Sequence, residues 1–143
     1  MKTIIKCVIF DLLGVLYPDN LQVGEALIVK LKKQGIEIAV ITSLNRQAAE
    51  EICERLKIDK LTVAGELKMK KSDPRVYKKF LTANDLDAAE VIFIDDHVDN
   101  LLAAKKNGIT TVLYDGDDNG ADFNVESWSE LEQLIERLCL KNH

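Results

Sequence analysis

The chain alternates two hydrophobic rhythms. Short, β-branched, almost wholly apolar runs read as strands buried on both faces. Stretches with apolar residues every three or four positions read as helices packed against them. Thr3–Phe10 (TIIKCVIF) is the first such strand. Leu21–Gln34 carries Val23, Leu27 and Leu31 at helical spacing and stops at Gly35. Ile36–Ile41 predicts a second strand, and Arg46–Lys57 a helix with Ala49, Ile52, Cys53 and Leu56 on one stripe. Lys60–Ala64 is a short third strand. Asp73-Pro74 is a helix cap followed by proline at the first helical position, and opens a helix to about Thr82. Val91–Ile94 and Ile109–Tyr114 predict the fourth and fifth strands, separated by a helix over Val98–Asn107 that Gly108 closes. The last helix runs from Ser127 to Leu140, with Ser127 and Glu130 spaced as a capping box. Strands alternating with helices imply a parallel sheet, right-handed crossovers and helices on both faces. There is no internal repeat and no linker, so residues 1–143 are expected to form one α/β domain.

Composition narrows the function classes. Hydrophobic residues make up 47% and charged residues 30% of the 143, a globular mixture. No apolar run approaches the roughly 18 residues that a membrane span needs, and Lys6 and Asp11 interrupt the best one. The N-terminus lacks a secretory pattern. The formal charge of −5 argues against a general surface for nucleic acid or anionic membranes. Cys7, Cys53 and Cys139 are odd in number and widely spaced, which makes neither a disulfide framework nor a zinc pattern. A reducing, cytoplasmic compartment is the expectation.

The polar residues that matter fall at strand ends. In an open parallel sheet, ligands bind beyond the carboxyl ends of the strands. Asp11 ends the first strand, Thr42 and Ser43 the second, and Asp95 and Asp96 the fourth, while Lys71 lies just before the helix that Pro74 opens. Each alone would be an ordinary turn or cap residue. Together they form a chemistry. Three carboxylates brought close raise one another's pKa, and a hard divalent cation such as magnesium removes that cost. The hydroxyls of Thr42 and Ser43, with the Lys71 ammonium, could hold a phosphoryl group. Asp11 is then placed to attack phosphorus as a carboxylate nucleophile.

Four segments carry a family resemblance. Val8–Leu16 (VIFDLLGVL), Val40–Ser43 (VITS), Lys71–Tyr77 (KSDPRVY) and Phe93–Asn100 (FIDDHVDN) resemble, in order, the four motifs of the haloacid dehalogenase superfamily. The resemblance implies a three-layer Rossmann-like fold with a five-stranded parallel sheet of order 5-4-1-2-3. It implies an aspartyl-phosphate on Asp11, phosphoryl binding by Thr42, Ser43 and Lys71, and a Mg2+ cofactor. The metal would be held by Asp11, the backbone carbonyl of Leu13 and Asp96. Asp95 would stand behind it or act through water, and Asn100 would support the fourth motif.

Two departures qualify the resemblance. Family phosphatases carry an aspartate two residues after the nucleophile, which protonates the leaving group and then activates water. Here that residue is Leu13. General acid–base catalysis is worth about 10²–10⁴-fold, so turnover should fall by that order while the metal site survives. Relatives that cleave carbon–halogen bonds also lack an aspartate there. Ser72 stands where the family often has proline. Only a helix and a strand separate Asp11 from Thr42, and the same holds from Thr42 to Lys71, so no cap domain is expected. An uncapped site suits a macromolecular substrate, a homo-oligomer partner that closes the site, or no substrate at all, and the expected ligand is a phosphorylated small molecule or macromolecule. The expected activity is therefore slow, Mg-dependent phosphoryl transfer or phosphatase chemistry. The alternative is an impaired relative that binds a phosphorylated ligand or regulates.

Other features have bland readings beside their functional ones. Asp115–Glu126 (DGDDNGADFNVE) matches the calcium-loop pattern in full, with Asp115, Asp117, Asn119 and Glu126 as the ligands. A strand rather than a helix precedes it, and Asp122 sits where the pattern is normally apolar, so a solvated acidic turn is the expectation. His97 could replace the missing proton donor or simply open a helix. Cys7 reads as a core residue, Trp128 as an anchor for the last helix, and Lys68 and Lys70 as a solvated face.

Overall fold

A computed structural model describes residues 4–117 and 119–140. Six strands form one sheet: β1 (Cys7–Phe10), β2 (Glu37–Thr42), β3 (Lys60–Val63), β4 (Val91–Asp95), β5 (Thr110–Tyr114) and β6 (Phe123–Val125). Their spatial order is β3-β2-β1-β4-β5-β6, and every neighbouring pair is parallel. The expected order 5-4-1-2-3 is present within it. The expected count of five strands is corrected to six, because 123–125 pair with β5 at the sheet edge. The first strand is also shorter than expected; of its expected span, Thr3 lies outside the described residues.

Period-two alternation splits the core in two. Val8, Phe10, Val40, Ile92 and Ile94 face one side of the sheet. There they meet α1 (Leu21–Lys33), α2 (Arg46–Leu56) and α5 (Trp128–Leu140) through Leu27, Leu31, Cys53, Leu134 and Ile135. Cys7, Ile9, Ala39, Ile41 and Phe93 face the other side. They are covered by α3 (Pro74–Ala83) and α4 (Val98–Lys105) through Val76, Tyr77, Phe80 and Leu101. Cys7 is a core residue as expected, and burial pushes its thiol up to about 12. Trp128 is half-buried at the start of α5 and meets the Tyr114 ring edge-on, with centroids 6.2 Å apart.

Local chemistry sets the helix ends. Asn45 caps α2 by accepting from the Ala48 amide at 2.9 Å. Asp73 caps α3 by accepting from the Arg75 amide at 2.9 Å, with Pro74 at the first helical position. Ser127 accepts from the Glu130 amide at 3.2 Å, but the returning Glu130 carboxylate takes the Glu126 amide at 3.3 Å, one residue earlier than a standard capping box. Residues 11–20 join β1 to α1. Residues 64–73 join β3 to α3 and include a short 3-10 helix, Ala64–Leu67. Among the described residues, no helix is long and apolar enough to cross a membrane.

Candidate active site

Register brings the predicted residues together. β1 lies between β2 and β4, with Phe10 beside both Val40 and Ile94. Asp11 therefore leaves the sheet between Thr42 and Asp95, and its amide donates to the Ile94 carbonyl at 2.9 Å. The carboxyl ends of these three central strands share one edge, as the sheet rule requires.

Lys71 links two of them. Its ammonium lies 2.6 Å from Asp11 Oδ1 and 2.7 Å from Asp95 Oδ2, and all three side chains are buried. The same ammonium stands 5.6 Å from the centroid of the Phe93 ring. Its backbone is pinned by Tyr77, whose buried hydroxyl donates to the Lys71 carbonyl at 2.7 Å. Burial pushes the Asp11 carboxyl up, to about 7. Lys71 opposes that rise, while Asp95 and Asp96 reinforce it.

Asp95 is fully engaged. It accepts from Lys71, from Asn100 Nδ2 at 3.2 Å and from the His97 amide at 2.9 Å. Asn100 thus holds the acid at the end of β4 by a hydrogen bond. Asp96 is half-buried and turns the other way, toward His97 Nδ1 at 2.9 Å. That contact raises the His97 imidazole above its ordinary pKa. Asp95, Asp96 and His97 offer ligand atoms that all lie within 4.8 Å of one another.

Gly14 was not singled out from the sequence, yet it fits Asp96 closely. Its φ is +87°, and a Cβ there would lie 2.0 Å from Asp96 Oδ2. Only a glycine lets the Leu13–Gly14 backbone approach that carboxylate. Tyr77 also went unnoticed, because a tyrosine on the apolar stripe of a helix reads as core alone. Its hydroxyl partner becomes visible only when the loop before α3 folds back. Lys71 was expected to meet phosphate; its simultaneous contact with Asp11 and Asp95 was not expected.

These residues surround an open cleft of about 380 Å³ lined by Asp11, Leu13, Thr42, Ser43, Lys71 and His97, among others. The Thr42 hydroxyl is buried and accepts from the Leu44 amide at 3.1 Å, while Ser43 is exposed beside it. A larger groove, of about 780 Å³, lies between α1 and the end of α2, away from all of these residues. Among the described residues, the grouping of three potential ligands at metal distance is Asp95, Asp96 and His97. Asp122 is instead occupied by Thr111, from its amide at 2.8 Å and its hydroxyl at 3.0 Å.

Comparison with known proteins bears on the family and the fold. The chain is 27% identical over 136 residues to (S)-2-haloacid dehalogenase 4A of Burkholderia cepacia, matching 87% of this chain and 57% of that enzyme. It thus spans little more than half the length of this curated relative. The cobalt-bound deoxy-D-mannose-octulosonate 8-phosphate phosphatase from Haemophilus influenzae superposes with a TM-score of 0.74 at 17% identity, over 96% of this chain and 90% of that one. The 3-deoxy-D-manno-octulosonate 8-phosphate phosphatase from Moraxella catarrhalis, in complex with magnesium, phosphate and its sugar, has a TM-score of 0.72 at 16% identity, over 94% and 87%. At that identity the two phosphatases share the fold. A model of the haloacid dehalogenase-like hydrolase family matches residues 21–114, most of the chain, and the protein belongs to that family.

Proposed function

We propose that the protein is a magnesium-dependent phosphohydrolase or phosphotransferase that works through an aspartyl-phosphate on Asp11 and is slowed by Leu13. The observation that carries this reading is the Lys71 ammonium held between Asp11 and Asp95 at the base of an open cleft whose wall carries Thr42 and Ser43.

The donor set fits a divalent cation. Asp11 and Asp95 share one buried ammonium and Asp96 stands next to Asp95, an excess of negative charge at these strand ends that a hard divalent ion would offset. Gly14 leaves room for the backbone beside Asp96. Magnesium would be held by Asp11, the Leu13 carbonyl and Asp96, with Asp95 engaged behind them. When bound, it would neutralise charge on the phosphoryl oxygens.

The chain's own residues do the rest. Thr42, Ser43 and Lys71 orient the phosphoryl group. An Asp11 oxygen forms a bond to phosphorus as the ester oxygen leaves with the bonding electrons. That oxygen must take a proton from solvent, because Leu13 has none to give. Water then attacks phosphorus, releasing phosphate and restoring the Asp11 carboxylate, and again no side chain at position 13 accepts the proton. Both half-reactions lack a positioned acid–base, a loss of about 10²–10⁴-fold. Among the described residues no cap lies over the cleft, so a phosphorylated small molecule or a macromolecule could reach it, and a second subunit could close it.

The impaired alternative, a module that binds a phosphorylated ligand, draws its support from Leu13 alone. Halide removal, the activity in the Burkholderia relative's name, is less favoured. The acidic strand ends favour a divalent cation, which a phosphoryl group uses for charge balance and which displacement of halide by a carboxylate does not need. The deciding experiment is hydrolysis of a phosphomonoester panel with magnesium, comparing wild type, Asp11→Asn and Leu13→Asp. The proposal expects slow turnover in wild type, none in Asp11→Asn, and acceleration of about 10²-fold or more in Leu13→Asp. A silent wild type with an active Leu13→Asp would favour the binding module. Equal rates in wild type and Asp11→Asn would overturn the nucleophile.

A further inference from the structure

The mouth of the cleft is unusual in what it exposes. Among the described residues, the large hydrophobic side chains left in water are few, and Leu13 and Tyr17 are two of them, at 47% and 37% exposed. They are not scattered. Leu13 and Tyr17 are paired through a bridge in the loop after β1, with the Gly14 amide donating to the Tyr17 carbonyl at 3.0 Å. Leu13 lines the cleft that holds Asp11, and half-buried Leu44 lines it too. Isolated exposed apolar residues are ordinary on a protein surface, whereas apolar residues gathered at the rim of a polar pocket mark a contact surface.

The charges around the same mouth are equally selective. Lys71 and His97 are the basic residues lining the cleft. Lys71 is committed to Asp11 and Asp95, and His97 Nδ1 to Asp96. Arg46, at the start of α2, is tied to Glu66 by contacts of 2.7 and 2.8 Å. Asp99 is exposed on the rim. Beyond the phosphoryl-binding floor, the cleft thus offers an apolar ledge of Leu13 and Leu44 and the Asp99 carboxylate, while its two basic side chains, Lys71 and His97, each already face a carboxylate.

We infer that the cleft selects phosphate monoesters whose organic part is uncharged and apolar or aromatic, and discriminates against esters carrying a second phosphate or a carboxylate. Leu13 acts here as a specificity-determining residue as well as a missing acid–base. An apolar leaving group removes the exposed face of Leu13, beside Leu44, from water. An anionic leaving group meets Asp99 and leaves the ledge wet. This inference rests on the phosphoryl-binding reading of the same cleft.

The test uses non-hydrolysable phosphonates, so slow turnover does not enter. Calorimetry on the full chain with magnesium would compare inorganic phosphate, benzylphosphonate, 2-hydroxyethylphosphonate and 2-carboxyethylphosphonate. We expect benzylphosphonate to bind about tenfold more tightly than the hydroxyethyl compound. That is the effect of removing roughly 55 Å² of apolar surface from water at about 25 cal/mol per Å². The carboxyethyl compound should bind weakest. In Leu13→Asn the ratio of benzyl to hydroxyethyl affinity should shrink to about twofold, whatever change the two compounds share with inorganic phosphate. Equal affinities, a preference for the carboxylate, or a benzyl preference that survives Leu13→Asn would overturn the inference and leave the phosphoryl site standing. If neither phosphate nor any phosphonate binds, the phosphoryl-binding reading falls, and the inference falls with it.

Discussion

Lys71 shows how one side chain can hold a site together at a cost in desolvation. An ammonium buried between two carboxylates gives up its hydration, and the close contacts to Asp11 and Asp95 offset that loss. Removing it leaves two carboxylates facing each other out of water. Lys71→Met should therefore destabilise the fold by about 3–5 kcal/mol at neutral pH, read from urea unfolding, with a smaller loss at pH 4 where a carboxyl can take a proton. Asp11 gives a second prediction. Burial, and to a lesser degree Asp95 and Asp96, raise its pKa to about 7 against the pull of Lys71. In the unfolded chain it titrates near the ordinary carboxylate range. The folded state therefore keeps a proton that the unfolded state releases, and stability is lost as pH rises from about 4 through 7. In the absence of metal, the melting temperature of wild type should fall relative to Asp11→Asn across that window and run parallel to it above pH 8. A constant gap would mean that Asp11 is ionised throughout. Both residues are conspicuous in the sequence as a strand-end acid and a lysine before a capped helix. Their mutual contact is not, because sixty positions separate them and only the parallel register brings them within 2.6 Å.

At the scale of the element, the loop into α3 is the part that aims Lys71. Asp73 and Pro74 start the helix, and this was legible in the sequence because caps act over two or three residues. Asp73→Ala should cost about 1 kcal/mol, measured by denaturant unfolding, since Arg75 loses both its amide partner and its side-chain partner. Tyr77 was not legible as anything but core. Its hydroxyl reaches back to the Lys71 carbonyl, so Tyr77→Phe should orphan a buried acceptor at a cost of about 1–3 kcal/mol. A purely structural role would leave phosphate affinity alone. We expect Tyr77→Phe to weaken phosphate binding in calorimetry as well, because Lys71 is no longer fixed. For the segment after β5, the expectation of a solvated acidic turn over a calcium loop is only part of the outcome. Asp115–Glu126 reads as a calcium loop by spacing, yet part of it pairs as β6 and Asp122 is occupied by Thr111. A three-residue edge strand has too short a pattern to stand out from a polar loop.

For the whole molecule, the acid-rich end of the sheet sets the response to metal. If Asp11, Asp96 and the Leu13 carbonyl hold magnesium, binding to the folded state alone should raise stability by about 2.7 kcal/mol at a hundredfold excess over Kd. Thermal shift should therefore show a rise of roughly 5–10 °C with magnesium, larger at pH 8 than at pH 5 because the ligands must be deprotonated. Asp96→Asn should abolish the rise, and so should Gly14→Ala, whose Cβ would displace the Asp96 carboxylate. A magnesium shift that survives in both variants would place the ion elsewhere.

The alternation of buried strands and amphipathic helices, the layering and the assignment of Asp11, Thr42, Lys71, Asp95 and Asp96 to one sheet edge could all be read along the chain. Those properties depend on side-chain periodicity and on caps, which act over a few residues and leave a direct trace in the order of amino acids. The link from Lys71 to Asp95, the approach of Gly14 to Asp96, the hold of Tyr77 on the Lys71 backbone and the exposure of Leu13 beside Leu44 at the cleft could not. Each is a contact between segments remote in sequence or a matter of which atoms water reaches. Such contacts exist only once register and packing have set distances through space, so no local pattern encodes them.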